Sequence, residues 1–466
     1  MADSSKTEEQ SKVMTMLHDD EPSTTPDSQV ASVAQSAHAA APAASAAPSV
    51  AYRPVAITPA QFEAFSDAHP LGNFQQSPGM MRLVADQAGR DVDLVGIEAD
   101  GELRGAAMMV TAKSHFGNEG SIWLGPLVDG RDPELMRAMT AAIEETAKSR
   151  HAHCVTCWPA DVYRRRTSQG EPDGEANNTM MDNYAANGWQ HHGFTRGYGE
   201  VVNRWVYVKD LTGIADDKAL LKSYDKRTQW SVKRAQSMGV HVREIGPDEF
   251  DVFARIERQT AERRSFKARE EEYFHRFKKA FGGKAHFMLA EIHIAEYVAD
   301  MEAKRKALQE KVAQLQAKHD ERPTTRTERQ LGEESRNLAA AEKRLAEAEV
   351  FAKDGDVLPA AASLFVEHPQ EMVYLFSGSV AEYKPFYASA LIQYEAMRLC
   401  LERGITRYNF YGISGVFDNP NDEGRGVLEF KQGFNGYVEE LPGEFTLPVN
   451  GLRFRVSALA HKLLGR

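Results

Sequence analysis

A heptad-patterned stretch set between segments of a different texture constrains this chain most. From 294 to 315, apolar side chains fall at Ile294, Val298, Met301, Leu308, Val312 and Leu315, a 4-3 spacing broken only by Arg305. Arg322-Pro323-Thr324-Thr325 ends that helix, because proline cannot continue it. Leu331, Leu338 and Leu345 then resume at seven-residue intervals, with Ala341 and Ala348 each three residues after a leucine. Two such helices joined by a short turn bury their seams against each other, so residues 294–351 are expected to form an antiparallel coiled-coil hairpin. On both sides the texture is that of strands and amphipathic helices, so the hairpin interrupts a domain rather than separating two. A plain structural arm and a partner-gripping arm are both open as its role.

At 466 residues the chain exceeds what one hydrophobic core usually supports. Residues 1–50, rich in Ala, Ser, Pro, Thr and Asp, cannot bury enough surface to offset chain entropy and are expected to be a disordered tail. A first domain is expected over 51–205. It has a helix near Pro59–Ala68, and a hairpin in DLVGIEADGELRGAAMMVTAK, whose strands flank the turn dipeptide Asp100-Gly101. A strand in SIWLGPLVD, an amphipathic helix over 132–149 and a strand in HAHCVTCWP follow, then a polar, Gly-rich loop over 160–188. VVNRWVYVKDLT restarts the pattern. One helix is expected over 217–238, carrying Lys222, Lys226, Arg227, Lys233 and Arg234 and stopped by Gly239, and another over 247–281. A second domain is thus expected over 206–293 and 352–466, and the class is α/β (α+β) with mixed sheets.

The net charge of −11 argues against generic nucleic-acid binding, but the charge is polarised. Residues 218–284 hold 17 Lys/Arg against 10 Asp/Glu, and 451–466 hold four basic residues and no acidic one. The N-terminus lacks the pattern of a secretory signal, and no run approaches about 18 apolar residues, so a cytoplasmic location is expected. Cys154, Cys157 and Cys400 are too few for a disulfide framework. Cys154-x-x-Cys157 has redox or zinc spacing but no second pair, and HAHCVTCWP reads as a buried strand.

Chemistry concentrates in three stretches. Arg263-Arg264-Ser265-Phe266-Lys267-Ala268-Arg269, followed by Tyr273-Phe274, supplies guanidinium groups and a phenol suited to phosphate, or else a solvated helix face. EMVYLFSGSVAEYKPFYASALIQYEAMRLCLERGITRYNFYGISGVFD reads as strand, loop, helix, then a strand opening into a Gly-rich turn at Tyr411. GVLEFKQGFNG places Lys431 between Phe430 and Phe434 beside a glycine turn, as a positive, half-buried group. The closing FRVSALAHKLLGR sets Val456, Leu459, Leu463 and Leu464 near one helical face with Arg453, Arg455, Lys462 and Arg466 around it. That suits either packing on the domain or contact with an anionic membrane surface.

In this order, GNFQQS near Asn73, LGPLVD at Leu124, KRTQWSVKRAQSMGV at Lys226, Phe266-x-x-Arg269-x-x-x-Tyr273-Phe274, YNFYGISG at Tyr408 and GVLEFKQGFNG at Gly426 resemble the Fem-type (FemABX) peptidoglycan bridge aminoacyltransferases, over roughly residues 52–450. The resemblance implies two acetyltransferase-like (GNAT) domains with an inserted coiled-coil arm. It also implies transfer of an amino acid from aminoacyl-tRNA to an amine of a UDP-linked or lipid-linked muropeptide, with no cofactor and no metal. It implies that Arg269 and Tyr273 bind the precursor's diphosphate end, that Lys431 serves transfer, that Tyr374 lines the site and that Asp129 is an acidic site residue. Phe430 and Tyr411 join them as substrate-side candidates. The family's early tryptophan and lysine after the Q-S pair are not evident in PGMMRL, where Arg82 is the candidate substitute, and Tyr411-Gly412-Ile413 stands where the family has Gly-Gly-Ile.

The chemistry agrees with such a transfer. A charged-tRNA ester is already activated, so the enzyme need only hold an amine near the carbonyl, help it lose a proton and stabilise an oxyanion. Lys431 suits the oxyanion or the terminal phosphate, and Asp129 or the departing ribose oxygen the proton. The Gln/Arg-x-x-Gly-x-Gly/Ala loop that holds coenzyme A pyrophosphate is not found. An acyl-CoA-dependent transferase and a non-catalytic coiled-coil scaffold are the alternatives.

Overall fold

The computed structural model describes residues 51–264 and 267–463, with side chains of the last helix defined to Val456 and at Leu459. The tail expected over 1–50 lies outside the described residues, as do Ser265, Phe266, Leu464 and Arg466 and the side chains of Lys462 and Leu463.

After β1 (Arg53–Val55), helices α1 (Pro59–Ala68) and α2 (Pro78–Ala85) lead into β2 (Arg90–Ala99), β3 (Glu102–Ser114) and β4 (Gly117–Trp123). Helix α3 (Pro133–Ser149) crosses to β5 (Ala152–Trp158), which runs parallel to β4. Next come β6 (Arg164–Arg166), α4 (Asn178–Ala186), β7 (Gln190–His191), β8 (Trp205–Asp210), α5 (Asp217–Lys222), α6 (Lys226–Gln236) and β9 (Val240–Glu244). Helices α7 (Phe250–Arg264) and α8 (Glu271–Phe281) precede β10 (Ala285–His293) and the arm helices α9 (Ile294–Glu321) and α10 (Thr325–Phe351). β11 (Val357–His368) and β12 (Glu371–Ser379) follow. Then α11 (Ala388–Arg403) crosses over to β13 (Arg407–Gly412), parallel to β12. The chain closes with α12 (Arg425–Gln432), β14 (Tyr437–Glu440), β15 (Phe445–Pro448) and α13 (Gly451–Leu463).

Among the described residues these strands form two mixed sheets, ordered β1-β2-β3-β4-β5-β15-β7 and β6-β14-β8-β13-β12-β11-β10-β9. Each holds one parallel pair joined by a crossover helix, as expected of tandem acetyltransferase-like units. The β2–β3 turn uses Asp100 and Gly101, both at positive φ (55° and 80°), the geometry that matches strand twist.

The hairpin arm follows the heptads. Its root is dry, with Ile294, Tyr297 and Met301 buried against Ala341, Leu345 and Ala348, whereas the seam toward the tip is half-exposed. Arg305 occupies the seam position that interrupts the repeat. Pro323 sits in the turn, and the Thr324 side chain caps α10 by accepting from the Thr327 N–H.

The described chain departs from the sequence expectations in four places. The helix expected over 217–238 is two, because Asp225 accepts the Thr228 N–H (2.6 Å) and starts α6 anew. The helix expected over 247–281 also divides, so the Arg269 stretch is a link between helices rather than a helix face. The loop expected over 160–188 contains β6 and α4, the latter capped by Asn177. Finally, the sheets exchange strands: β6 joins the second sheet beside β14, and β15 joins the first beside β5. Buried Glu440 holds the crossover, pairing with Arg166 at 2.6 Å and with Arg204.

Phe62, Phe74, Leu83 and Met108 of the first unit share one buried cluster with Phe250, Phe253, Phe277 and Phe281 of the second. Each such side chain contributes roughly 1.5–3 kcal/mol, so the seam fixes the two sheets relative to each other. Gly79 is required there, since a Cβ would stand 2.5 Å from the Phe281 ring. Among the described residues no helix is long and apolar enough to cross a membrane.

Candidate active site

The site grows from the end of β13. Tyr408 and Phe410 point into the core, and the Asn409 side chain accepts the Tyr411 N–H (2.8 Å), turning the backbone so that Tyr411 adopts φ 62°. A non-glycine residue there is strained by roughly 1–2 kcal/mol. The Tyr411 hydroxyl meets the side chains of Asn203 and Gln75, while burial and the neighbouring Tyr273 push its pKa to about 12. Gly412 admits no side chain, because a Cβ would collide with Asn203.

That turn aims two carbonyls at α12. The Lys431 ammonium donates to Gly412 O (2.6 Å) and is 3.4 Å from Tyr411 O. Leu428 and Lys431, three residues apart, share the buried face of the helix, and Lys431 is only 4% exposed. Among the described residues no carboxylate pairs with it. Burial lowers its pKa to about 7, which places it near mid-titration at neutral pH. The sequence reading of a half-buried lysine is corrected to a buried one held by backbone carbonyls.

Aromatic side chains pack on α12 and on the neighbouring strand β12. Phe430 packs on Phe434 (5.4 Å between ring centroids). Tyr374 stacks on Phe365 (5.5 Å), with its hydroxyl toward Ser363 and Ser377. Tyr273 meets Phe376 edge-on at 5.8 Å, and the exposed Arg269 guanidinium lies 5.1 Å from the Tyr273 ring. The α7–α8 link is anchored by Glu257, which accepts the Arg269 N–H at 3.3 Å. Glu257 is 2% exposed, and burial pushes its carboxyl up to about 7.

From the first unit, the turn Phe74–Gln76 is capped by Asn73, and Gln76 donates to Trp123 O (2.8 Å) while accepting the Met108 N–H (2.8 Å). This fixes Gln75, 8% exposed, whose side-chain oxygen has no hydrogen-bond partner among the described residues. A buried, unpaired carbonyl costs about 1–3 kcal/mol and is a ready acceptor for a substrate N–H. A buried ammonium donor, an unpaired acceptor, aromatic side chains and a guanidinium beside Tyr273 make a site suited to acyl transfer onto an amine.

The sequence model of the FemAB family matches residues 57–462. The chain belongs to the FemAB family. "Aminoacyltransferase FemA" of Staphylococcus aureus (strain bovine RF122 / ET3-1) is 28% identical over 406 residues, covering 84% of this chain and 94% of that protein. The same protein of strain N315 is equally similar. A solved structure described as FemX shares the fold, with a TM-score of 0.71 and 22% identity over 87% of this chain and 99% of its own.

Of the residues the sequence singled out in this FemAB-family chain, Lys431, Tyr411, Tyr273 and Arg269 form one connected group. Tyr374 and Phe430 belong to the second unit's core around it. Asp129 is not brought to that group. It is exposed on the β4–α3 connection, where it accepts the Arg131 N–H (3.0 Å) and lies beside buried Asp161. Arg82 is not either: it donates to Ala280 O (2.9 Å) and lines a cavity of about 100 Å³ at the seam with Ser77, Lys284 and His368.

Sequence reasoning missed Gln75, Asn203 and Glu257. Gln75 was legible only as part of GNFQQS, and Glu257 gave no signal beyond an acidic residue in a helix. Among the described residues two groups could gather three metal ligands, Glu119–His153–Cys154 and His241–His293–Glu296. Cys154 and Cys157 both lie buried on β5; three residues apart in a strand, they face opposite sides, and burial raises both thiol pKa values.

Proposed function

We propose that this protein transfers an aminoacyl group from charged tRNA to an amino group of a peptidoglycan precursor, as a nucleotide-linked or lipid-linked muropeptide. The observation that carries the reading is the buried Lys431 ammonium beside the Tyr411–Gly412 carbonyls, in a chain of the FemAB family whose staphylococcal relatives are named aminoacyltransferases.

In the proposed reaction the acceptor amine attacks the ester carbonyl. The N–C bond forms, the ester C–O bond breaks, and the proton leaves the amine for the ribose oxygen. Lys431 stabilises the oxyanion from a water-poor position, where a cationic donor acts most strongly. Gln75 Oε1 accepts an amine N–H, and Arg269 with Tyr273 holds the diphosphate end.

The exposed ridge Leu452, Val456 and Leu459 on α13, beside exposed Arg453 and Arg455, supports peripheral contact with an anionic membrane that carries a lipid-linked acceptor.

The test is transfer of radiolabel from a panel of charged tRNAs to nucleotide-linked and lipid-linked muropeptide, comparing wild type with Lys431→Ala. Incorporation lost in the variant is expected. No incorporation from any charged tRNA, with acetyl transfer from coenzyme A instead, would overturn the reading.

A further inference from the structure

We propose that the outer face of α6, with the root of the arm, is the docking platform for the single-stranded end of the donor RNA, and that Trp230 is its stacking surface. The inference rests on the tRNA-dependent reading above, but it can fail separately from it.

Trp230 is 53% exposed, an unusual state for the largest apolar side chain. Lys226, Arg227, Lys233 and Arg234 stand at i−4, i−3, i+3 and i+4 from it, so all four cations surround the indole on one helical face. Among the described residues none of the four pairs with a carboxylate. The helix carries no acidic residue among them, whereas a solvated helix face ordinarily intersperses acids at i,i+3 or i,i+4. This face carries an uncompensated charge, as a surface built for a polyanion would.

Neighbouring elements extend it. The Tyr387 ring, which opens α11, meets the indole edge-on at 5.1 Å and holds it in place. Arg234 faces Arg344 of α10 and the Tyr297 and Tyr387 rings; partial burial and the Arg344 guanidinium lower its pKa. Cations from α6 and from the arm thus converge on two aromatic rings. An aromatic face inside a basic groove is the arrangement that binds unpaired bases without sequence preference, the ring stacking on a base and the cations tracking phosphates.

The platform adjoins the site. The Asp225 N–H at the start of α6 donates to Gly433 O (2.9 Å), two residues beyond Lys431, and Thr228 Oγ1 abuts Gly433 so closely that no side chain would fit there. A strand stacked on Trp230 therefore lies on the helix that contacts the Lys431 segment.

The experiment measures equilibrium binding of two labelled RNAs to the full chain: an acceptor-stem hairpin with a four-nucleotide 3′ overhang, and the same hairpin blunt-ended. Wild type, Trp230→Ala, Trp230→Phe and Lys233→Ala are compared, alongside KM for charged tRNA. Trp230→Ala is expected to weaken overhang RNA about tenfold or more, to leave blunt RNA unchanged and to raise KM for charged tRNA, with Trp230→Phe retaining most of the affinity. Lys233→Ala should weaken both RNAs and lower the slope of log affinity against log salt by about one. Because Trp230 is exposed, its variants should melt with the wild type.

Overhang binding that is unchanged in Trp230→Ala overturns the platform, even if transfer from tRNA is intact. Equal weakening for heparin also overturns it, since heparin has charge but no bases. Conversely, Trp230-dependent binding in a protein that transfers nothing from charged tRNA supports the platform and sinks the transfer reading instead.

Discussion

Replacing Lys431 by methionine removes a buried charge while keeping the length of the side chain. Burial moves the ammonium from its ordinary 10.5 to about 7. At about 1.4 kcal/mol per pH unit this corresponds to about 5 kcal/mol against the charged form. The sign follows from proton counting. Between pH 7 and 10.5 the unfolded chain binds a proton that the folded chain does not, so wild-type stability rises with pH there and the contribution is lost as pH falls through about 7. From pH 7 to pH 10 this amounts to about 4 kcal/mol. Methionine has no such dependence. At roughly 2 cal/mol/K of unfolding entropy per residue, a cooperative unit of this size shifts by about 1 °C per kcal/mol. The melting temperature of wild type minus Lys431→Met should therefore grow by about 4 °C across that interval, read by calorimetry in matched buffers. Aminoacyl transfer by the variant should fall about 10²–10³-fold, the usual cost of losing an oxyanion donor. If the two stability profiles run parallel within 1 °C, the ammonium is hydrated or paired, and the argument from its burial fails.

Further outcomes are expected at other positions. Glu257 has a raised folded pKa, so its contribution is fully present below about 4.5 and lost as pH rises through about 7; Glu257→Gln should flatten that loss in pH-dependent melting and be the more stable protein at pH 8. Arg269→Ala should raise KM for the muropeptide about tenfold with kcat little changed, the size of one lost charge-assisted contact; an unchanged KM would remove Arg269 from the acceptor site. Glu440→Ala strands Arg204, only 5% exposed, without its carboxylate, and should cost about 3–5 kcal/mol in thermal unfolding. Gly378→Ala would place a Cβ 2.5 Å from Ile256 O, pushing α7 off β12, and should cost about 1–3 kcal/mol.

What the sequence determined by itself was what depends on local pattern. The heptads and Pro323 specify the helical hairpin, because a 3.5-residue apolar period can be buried only by a matching seam, and Asp100-Gly101 specifies the β2–β3 turn, because few residues tolerate positive φ. Alternating strands and helices gave the mixed class, and the aromatic bracket around Lys431 marked the right helix. Helix interruptions escaped because they turn on single caps and anchors: Asp225 restarting α6, and buried Glu257 tying down Arg269. The exchange of β6 and β15 between the sheets escaped as well, since pairing across about 270 to 290 residues leaves no periodic trace in either segment.

The site was legible as a set of residue types and not as a place. Asp129 and Arg82 were plausible by order along the chain, yet the fold puts one on an exposed turn and the other in the seam against α8. Gln75 became a partner of Tyr411 only when the first unit packed on the second, and Asn203 only when β8 paired with β13. Burial, which sets the charge state of Lys431 and Glu257, is a property of that packing. The sequence supplied the ammonium and the carboxyl, and the tertiary structure took the water away from them.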